Sequence, residues 1–275
     1  MMKERLYKII LRNIFVWCCV FFFVSPFYWL ITTALKNRVD AFAMPPKWFF
    51  IPIFDNFALV FTTGEFMASY YNSLIIAVLS TFVSLIIGLP MAYGLSNRFR
   101  VKNCQGILLW ILSTKMAPPI MVAIPFYILF RLLYLRDTYI GMVLVYLIFN
   151  LSFAVWMIHG FIDGVPKELE EAARVDGSTR IRALFTIVLP LIKGGLSATS
   201  IICFITSWNE FLMALVLTSS ATKTAPVAIT SFISFEGIRW GEIAAAGVLI
   251  ALPVIIMGIF VRKYLISGMT MGAIK

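Results

Sequence analysis

Few side chains in this 275-residue chain could do covalent chemistry, and their placement argues against it. His159 is the single histidine, too little for a multi-ligand metal site, and it falls at an interfacial position at the end of an apolar run. The four cysteines, Cys18, Cys19, Cys104 and Cys203, show no paired-ligand spacing and no disulfide framework. Cys18, Cys19 and Cys203 sit in apolar runs, as small residues filling space between helices would. No serine-hydrolase pattern occurs, and no Gly-rich loop of the kind that cradles nucleotide phosphates.

Two places concentrate polar chemistry. The first is residues 162–190, which hold five of the thirteen acids: Asp163, Glu168, Glu170, Glu171 and Asp176. Gly164-Val165-Pro166 ends one helix and opens another, with Pro at an early helical position. Good helix formers run from Lys167 to Val175, Glu170 and Arg174 have i,i+4 spacing, and the acids fall where the helix dipole favours them. Ala172 and Ala173 leave a narrow flank that another backbone could approach. Asp176-Gly177 supplies a left-handed stop, and Ser178 can cap a second helix through Ile181, Leu184, Phe185 and Val188 to Pro190. Two short helices about a sharp bend suit a docking element; a solvated linker would not need helical signals at both ends.

The second place lies within apolar runs. Lys115, close to Pro118 and Pro119, and the triplet Trp208-Asn209-Glu210 must find partners or water inside a membrane. Pro118, Pro119 and Pro125 are expected to interrupt their helix, because adjacent prolines leave backbone acceptors without donors. These residues are candidates for a pathway or gate. Ser207 and Ala214 lie at helical spacing from Glu210 and would share its stripe.

Long apolar elements must position these groups. The chain is 61% hydrophobic and 13% charged, against roughly a quarter charged in soluble domains. Six spans are predicted, at about 14–35, 71–93, 107–131, 139–161, 191–217 and 244–266. The first is too long, and lacks a small-residue cleavage site, for a signal peptide. Placing both termini inside puts fifteen Lys and Arg in inner segments against seven in outer loops, the asymmetry expected of cytoplasmic loops. The net charge of +10 is scattered between spans and forms no stripe for nucleic acid. The outer loop at 36–70 carries Trp48-Phe49-Phe50 and suits the membrane interface. The expectation is an all-α membrane protein with a cytoplasmic segment 1–13, a transmembrane domain 14–266 that includes the polar segment 162–190, and a cytoplasmic tail 267–275.

The string VPKELEEAARVDGSTRIRALFTIVLPL resembles the signature of ATP-binding-cassette importer permeases, in particular the maltose-transporter-like carbohydrate branch. MAPPIMVAIPFYILF at 116–130, LRDTYIGMVLVY at 135–146, SWNEFLMALVLT at 207–218 and SGMTMGAIK at 267–275 extend the likeness over nearly the whole chain. The resemblance implies the six-span, type I importer permease fold in a cell inner membrane. It implies no cofactor in this chain; ATP and Mg2+ would be bound by a dimer of separate ATPase subunits. Its partners would be a second permease subunit, an extracytoplasmic solute-binding protein, membrane lipid and a sugar or polyol. Glu168, Glu171, Ala172, Ala173, Asp176, Gly177, Leu189 and Pro190 would form the ATPase-coupling element. Two competing readings make different demands. A secondary transporter would need inverted repeats and several intramembrane acids, where Glu210 stands alone, and a membrane enzyme would need a cluster of polar catalytic groups.

Overall fold

In a computed structural model the described residues of the protein are mostly helical, with Ile233–Ser234 paired antiparallel to Gly237–Ile238. The structure describes residues 2–62, 64–96, 98–99, 101–234 and 237–270, with the side chains of 2–7 and 261–270 excepted. The expectations for Arg100 and for residues 271–275 of the tail therefore lie outside the described residues.

The long helices are α1 (Met2–Ala34), α4 (Glu65–Gly94), α7 (Tyr139–Asp163) and α14 (Trp240–Thr270). Lys8–Ala34, Glu65–Gly94, Tyr139–Asp163 and Trp240–Phe260 are each long and apolar enough to cross a membrane. Two bent pairs could add a span each. Cys104–Met116 and Pro119–Leu132 meet at 85°, and Arg180–Leu191 and Lys193–Trp208 meet at 80°. The chain is thus a multi-span α-helical membrane protein, with four clear spans among the described residues, or up to six if each bent pair is one span.

The first bend has a local cause. Ala117 and Pro118 are extended, as residues preceding proline must be, so the helix stops at Met116 and α6 (Pro119–Leu132) starts on a proline. Pro125 does not break α6, which runs through it. The run expected as one helix over 191–217 divides into α11 (Lys193–Trp208) and α12 (Leu212–Leu217), because the chain leaves helical geometry at Glu210.

Two compact units are present. In the first, residues 1–67 and 228–252, Asn56 donates to the carbonyls of Ala34 and Lys36, closing the chain after α1, and Phe66 packs on Phe232. Two short helices, α2 (Arg38–Ala41) and α3 (Asp55–Thr62), interrupt the loop expected at 36–70. Between them Met44, Trp48, Phe49, Ile51 and Phe54 are exposed, the apolar display expected of an interfacial segment. Along α1 Phe15, Trp17, Phe21, Phe22 and Phe23 are exposed, and Cys18 and Cys19 are not buried between helices.

The second unit, residues 68–227 and 253–275, has two apolar cores. One gathers Tyr93, Ile158, Ile162, Leu184, Val188 and Cys203; the other gathers Ile76, Phe130, Met142, Tyr146, Met213 and Leu217. Between them runs a polar chain, buried at Ser80, Asn150 and Ser207. Asn150 donates to Ser207 (2.7 Å), Ser80 and Ser207 share a hydrogen bond (2.9 Å), and Thr206 donates to Asn150 (2.7 Å). Such groups must be satisfied internally in a membrane, so they fix the helix register. Gly195 lies against the Phe161 ring, where any Cβ would clash, so α11 approaches α7 closely.

Candidate functional site

Residues 164–191 form the bent polar segment. Helix α8 (Lys167–Val175) has the predicted bounds. It ends in a Schellman turn: Gly177 N donates to Arg174 O (3.1 Å) and Ser178 N to Ala173 O (2.9 Å). Gly177 has φ +87°, the left-handed conformation that glycine adopts without penalty. Thr179, not Ser178, caps the next helix, accepting from Arg182 N at 3.3 Å. That helix runs through α9 (Arg180–Ala183), a π turn over Leu184–Val188 and α10 (Leu189–Leu191). In the π turn Leu189 N reaches back to Leu184 O, just before Pro190, which lacks the N–H for the next α-helical bond.

The segment is held from beneath by a residue to which sequence reasoning gave another role. Glu170 does not pair with Arg174 but points inward and is 5% exposed. Tyr93 Oη donates to its Oε1 at 2.6 Å. Arg98 Nε lies 2.7 Å from its Oε2, with the N–H not aimed at the oxygen, so the contact is one of charge more than of hydrogen bonding. The other guanidinium nitrogens of Arg98 donate to Ile162 O (3.0 Å), in the last turn of α7, and to Val165 O (2.9 Å), in the link to α8. Tyr93 Oη also lies 3.3 Å from Arg180 O, and the Arg180 guanidinium covers the Phe99 ring at 4.5 Å. Both short helices are therefore fastened to Tyr93, Arg98 and Phe99. The signal available in the sequence was a basic residue following a span, with no indication of its partner.

The outward face has a different character. Glu168, Glu171, Ala172, Asp176 and Gly177 are exposed, Pro190 also, and Leu189 is half-buried. Val175 (88% exposed), Ile181 (70%) and Phe185 (56%) add apolar surface around the bend. A polar protrusion with exposed apolar side chains at its bend fits a docking surface.

The intramembrane candidates do not form one cluster. Lys115, Pro118 and Pro119 are exposed at the first bend, and Lys115 Nζ lies 4.7 Å from the centroid of the Phe153 ring. Glu210 is engaged elsewhere, accepting from Met213 N (2.8 Å), Ala214 N (3.0 Å) and Tyr146 Oη (3.1 Å). It thus caps α12 where the helix is interrupted. Phe153 and Tyr146 are seven residues apart on α7, about 10 Å along its axis. Trp208 is buried, edge-on to Tyr70 at 5.2 Å and stacked with Phe204 at 5.8 Å; Asn209 is exposed. Among the described residues no group of His, Cys, Asp and Glu could hold a metal ion.

Residues 61–271 match the family model described as the binding-protein-dependent transport system inner membrane component. The chain belongs to that family. The permease is 34% identical over 276 residues to the diacetylchitobiose uptake system permease protein DasC of Streptomyces coelicolor, covering 100% of both chains. It is 34% identical over 260 residues to the probable ABC transporter permease protein y4oR of Sinorhizobium fredii, covering 94% and 93%. Its fold matches the crystal structure of a bacterial ABC transporter involved in alginate import, with TM-score 0.78, 23% identity and coverage of 96% and 98%. The permease is a multi-pass inner-membrane subunit and not itself an enzyme; ATP hydrolysis belongs to a separate subunit.

Proposed function

We propose that this permease forms half of a membrane pathway for a sugar, oligosaccharide or polyol, with its bent segment 162–190 seated on a cytoplasmic ATPase. The observation that carries this reading is the anchored bend: exposed Glu168, Glu171, Ala172, Asp176 and Gly177 on helices tied inward through Glu170. A protrusion fixed in this way passes a push from its surface into the spans without absorbing it. The carbohydrate class is supported by the name of DasC, the relative matched over its full length. The remaining assembly would be a second permease, a pair of ATPase subunits binding ATP and Mg2+, and an extracytoplasmic solute-binding protein.

In this reading each bent pair makes one span, giving six, with residues 1–13 and 267–275 cytoplasmic at either end of a transmembrane domain 14–266. The excess of Lys and Arg in the inner segments supports that orientation. Lys115, Pro118, Pro119 and Asn209, exposed in the single subunit, are assigned to the pathway or its gate. Trp208 and Glu210 support the pathway wall from behind.

Gly177→Val tests the coupling assignment. No other atom lies within 4 Å of a Cβ built at Gly177, so the substitution acts through the backbone alone. A β-branched residue at positive φ costs more than about 1–2 kcal/mol. In reconstituted vesicles we expect Gly177→Val to abolish ATP-driven uptake while Gly177→Asn keeps part of it, since Asn tolerates the left-handed region. Uptake by Gly177→Val at the wild-type rate removes the coupling assignment. For orientation, Asp176→Cys in a cysteine-free background should resist an impermeant thiol reagent in intact cells, and labelling from outside overturns it.

A further inference from the structure

A polar cavity of about 290 Å³ opens where α1 ends and α14 begins, in the unit formed by residues 1–67 and 228–252. Its described lining includes Lys36, Arg38 and Arg239, with Asn56, Ser234 and Glu242. Lys36 is only 4% exposed. Its ammonium lies 5.1 Å from the ring centroid of Trp29 and 4.9 Å from that of Phe50, and no carboxylate pairs with it among the described residues. The nearby acid Asp40 is already taken, bound by Lys47 at 2.5 Å and by Asn37. Glu242 is the one acid in the described lining, so three cations face one anion.

A buried ammonium without an anion is costly, and two aromatic faces offset that cost in part. The Asn56 amide is spent on the carbonyls of Ala34 and Lys36, and it holds Lys36 in place. Among the described residues the cavity is thus a preformed concavity with more positive than negative charge. Its level in the membrane follows from the fold, because it sits at the ends of two membrane-spanning helices, where phosphate groups of lipids lie. The exposed side chains of Met44, Trp48, Phe49 and Ile51 stand in the adjoining loop, apolar enough to rest among acyl chains.

We propose that this cavity is a binding site for a phosphate-bearing anion, with Lys36 as the buried charge and Arg38 and Arg239 as planar donors to phosphate oxygens. Lipid phosphodiesters and free phosphate share that chemistry. The interfacial level favours the headgroup of an anionic phospholipid, and Glu242 limits the site's net charge.

The test uses the intact importer complex in nanodiscs of zwitterionic lipid, titrated with phosphatidylglycerol and read by native mass spectrometry of the released complex. One phosphatidylglycerol per copy of this chain is expected, with at least tenfold weaker retention in Arg38→Gln/Arg239→Gln. Glu242→Gln should bind more tightly than wild type, a gain that a misfolded variant cannot give. Saturation by millimolar inorganic phosphate, with phosphatidylglycerol failing to compete, keeps the anion site and assigns it to free phosphate. Retention unchanged in both variants, or equal retention of phosphatidylcholine and phosphatidylglycerol with no phosphate effect, overturns the proposal.

Discussion

Breaking the Arg98–Glu170 pair tests how the bent segment is held. Both side chains are nearly inaccessible, at 4% and 6% exposure, so removing one charge leaves the other buried and uncompensated. Such a loss costs about 3–5 kcal/mol. Glu170→Gln keeps an acceptor for Tyr93 and removes only the charge. Arg98→Met strands the Glu170 carboxylate and frees the carbonyls of Ile162 and Val165. In the double variant no buried charge is unpaired, and the main loss is the two carbonyl hydrogen bonds, at about 1 kcal/mol each. The singles should together cost about 6–10 kcal/mol and the double about 2–3, a coupling of about 3 kcal/mol or more. Urea unfolding of the detergent-purified complex, followed by tryptophan fluorescence, measures the stability cycle. ATP-driven uptake by the same preparations shows whether the double variant recovers coupling along with stability. Additivity within about 0.5 kcal/mol would mean that the two charges do not act as a pair, and the account of the anchor would fall.

Other perturbations separate architecture from transport. Glu210→Gln keeps one acceptor but loses charged capping of Met213 N and Ala214 N, so complex yield should fall more than uptake per intact complex, the reverse of what a lone intramembrane acid suggests; purification yield and uptake on one preparation decide it. For Asp137, burial pushes the carboxyl up, but hydrogen bonds from Ser219, Thr222 and Ala221 outweigh this and hold it below its ordinary value. Its stabilisation is therefore complete above the ordinary carboxylate value and lost as pH falls through the depressed one, so the Tm gap to Asp137→Ala should close in acid; a gap independent of pH refutes this. Gly195→Ala sets a methyl into the Phe161 ring and should cost about 1–3 kcal/mol, with Phe161→Leu restoring part of it in the same unfolding assay.

What was legible in the sequence was local. Helix α8 and its glycine stop are written in neighbouring residues, and the first bend follows from two adjacent prolines. The sequence places the cap at Ser178 and it falls one residue later at Thr179, because either hydroxyl suits an N-cap and the turn before it sets the phase. The partner of Glu170 was illegible for a different reason. Arg174 lies one turn away and Arg98 far back in the chain, and only the fold turns the carboxylate inward, where a buried guanidinium outcompetes an exposed one. The break before α12 also carried no glycine or proline. Its cause is Glu210 itself, whose carboxylate supplies the acceptors that backbone carbonyls would otherwise provide.

Helix α7 links these observations mechanically. Its carboxyl end offers the Ile162 carbonyl to Arg98, and through Arg98 it is joined to Glu170 of α8. Along its length Phe161 faces Gly195, Ala154 faces Gly88, Asn150 binds Ser207 and Thr206, and Tyr146 binds Glu210. Close glycine contacts and buried hydrogen bonds resist sliding, because a shift by one residue would clash a ring against backbone or orphan a polar group. Other helices of the permease are interrupted, at the extended Ala117–Pro118 step and at the non-helical residues beside Glu210, where the hydrogen-bond ladder stops. Lys115 and Asn209 are exposed beside these two interruptions, one at each. On the proposed coupling role of α8, a displacement entering there would pass along these contacts of α7 and would reach the two helix interruptions next to Lys115 and Asn209.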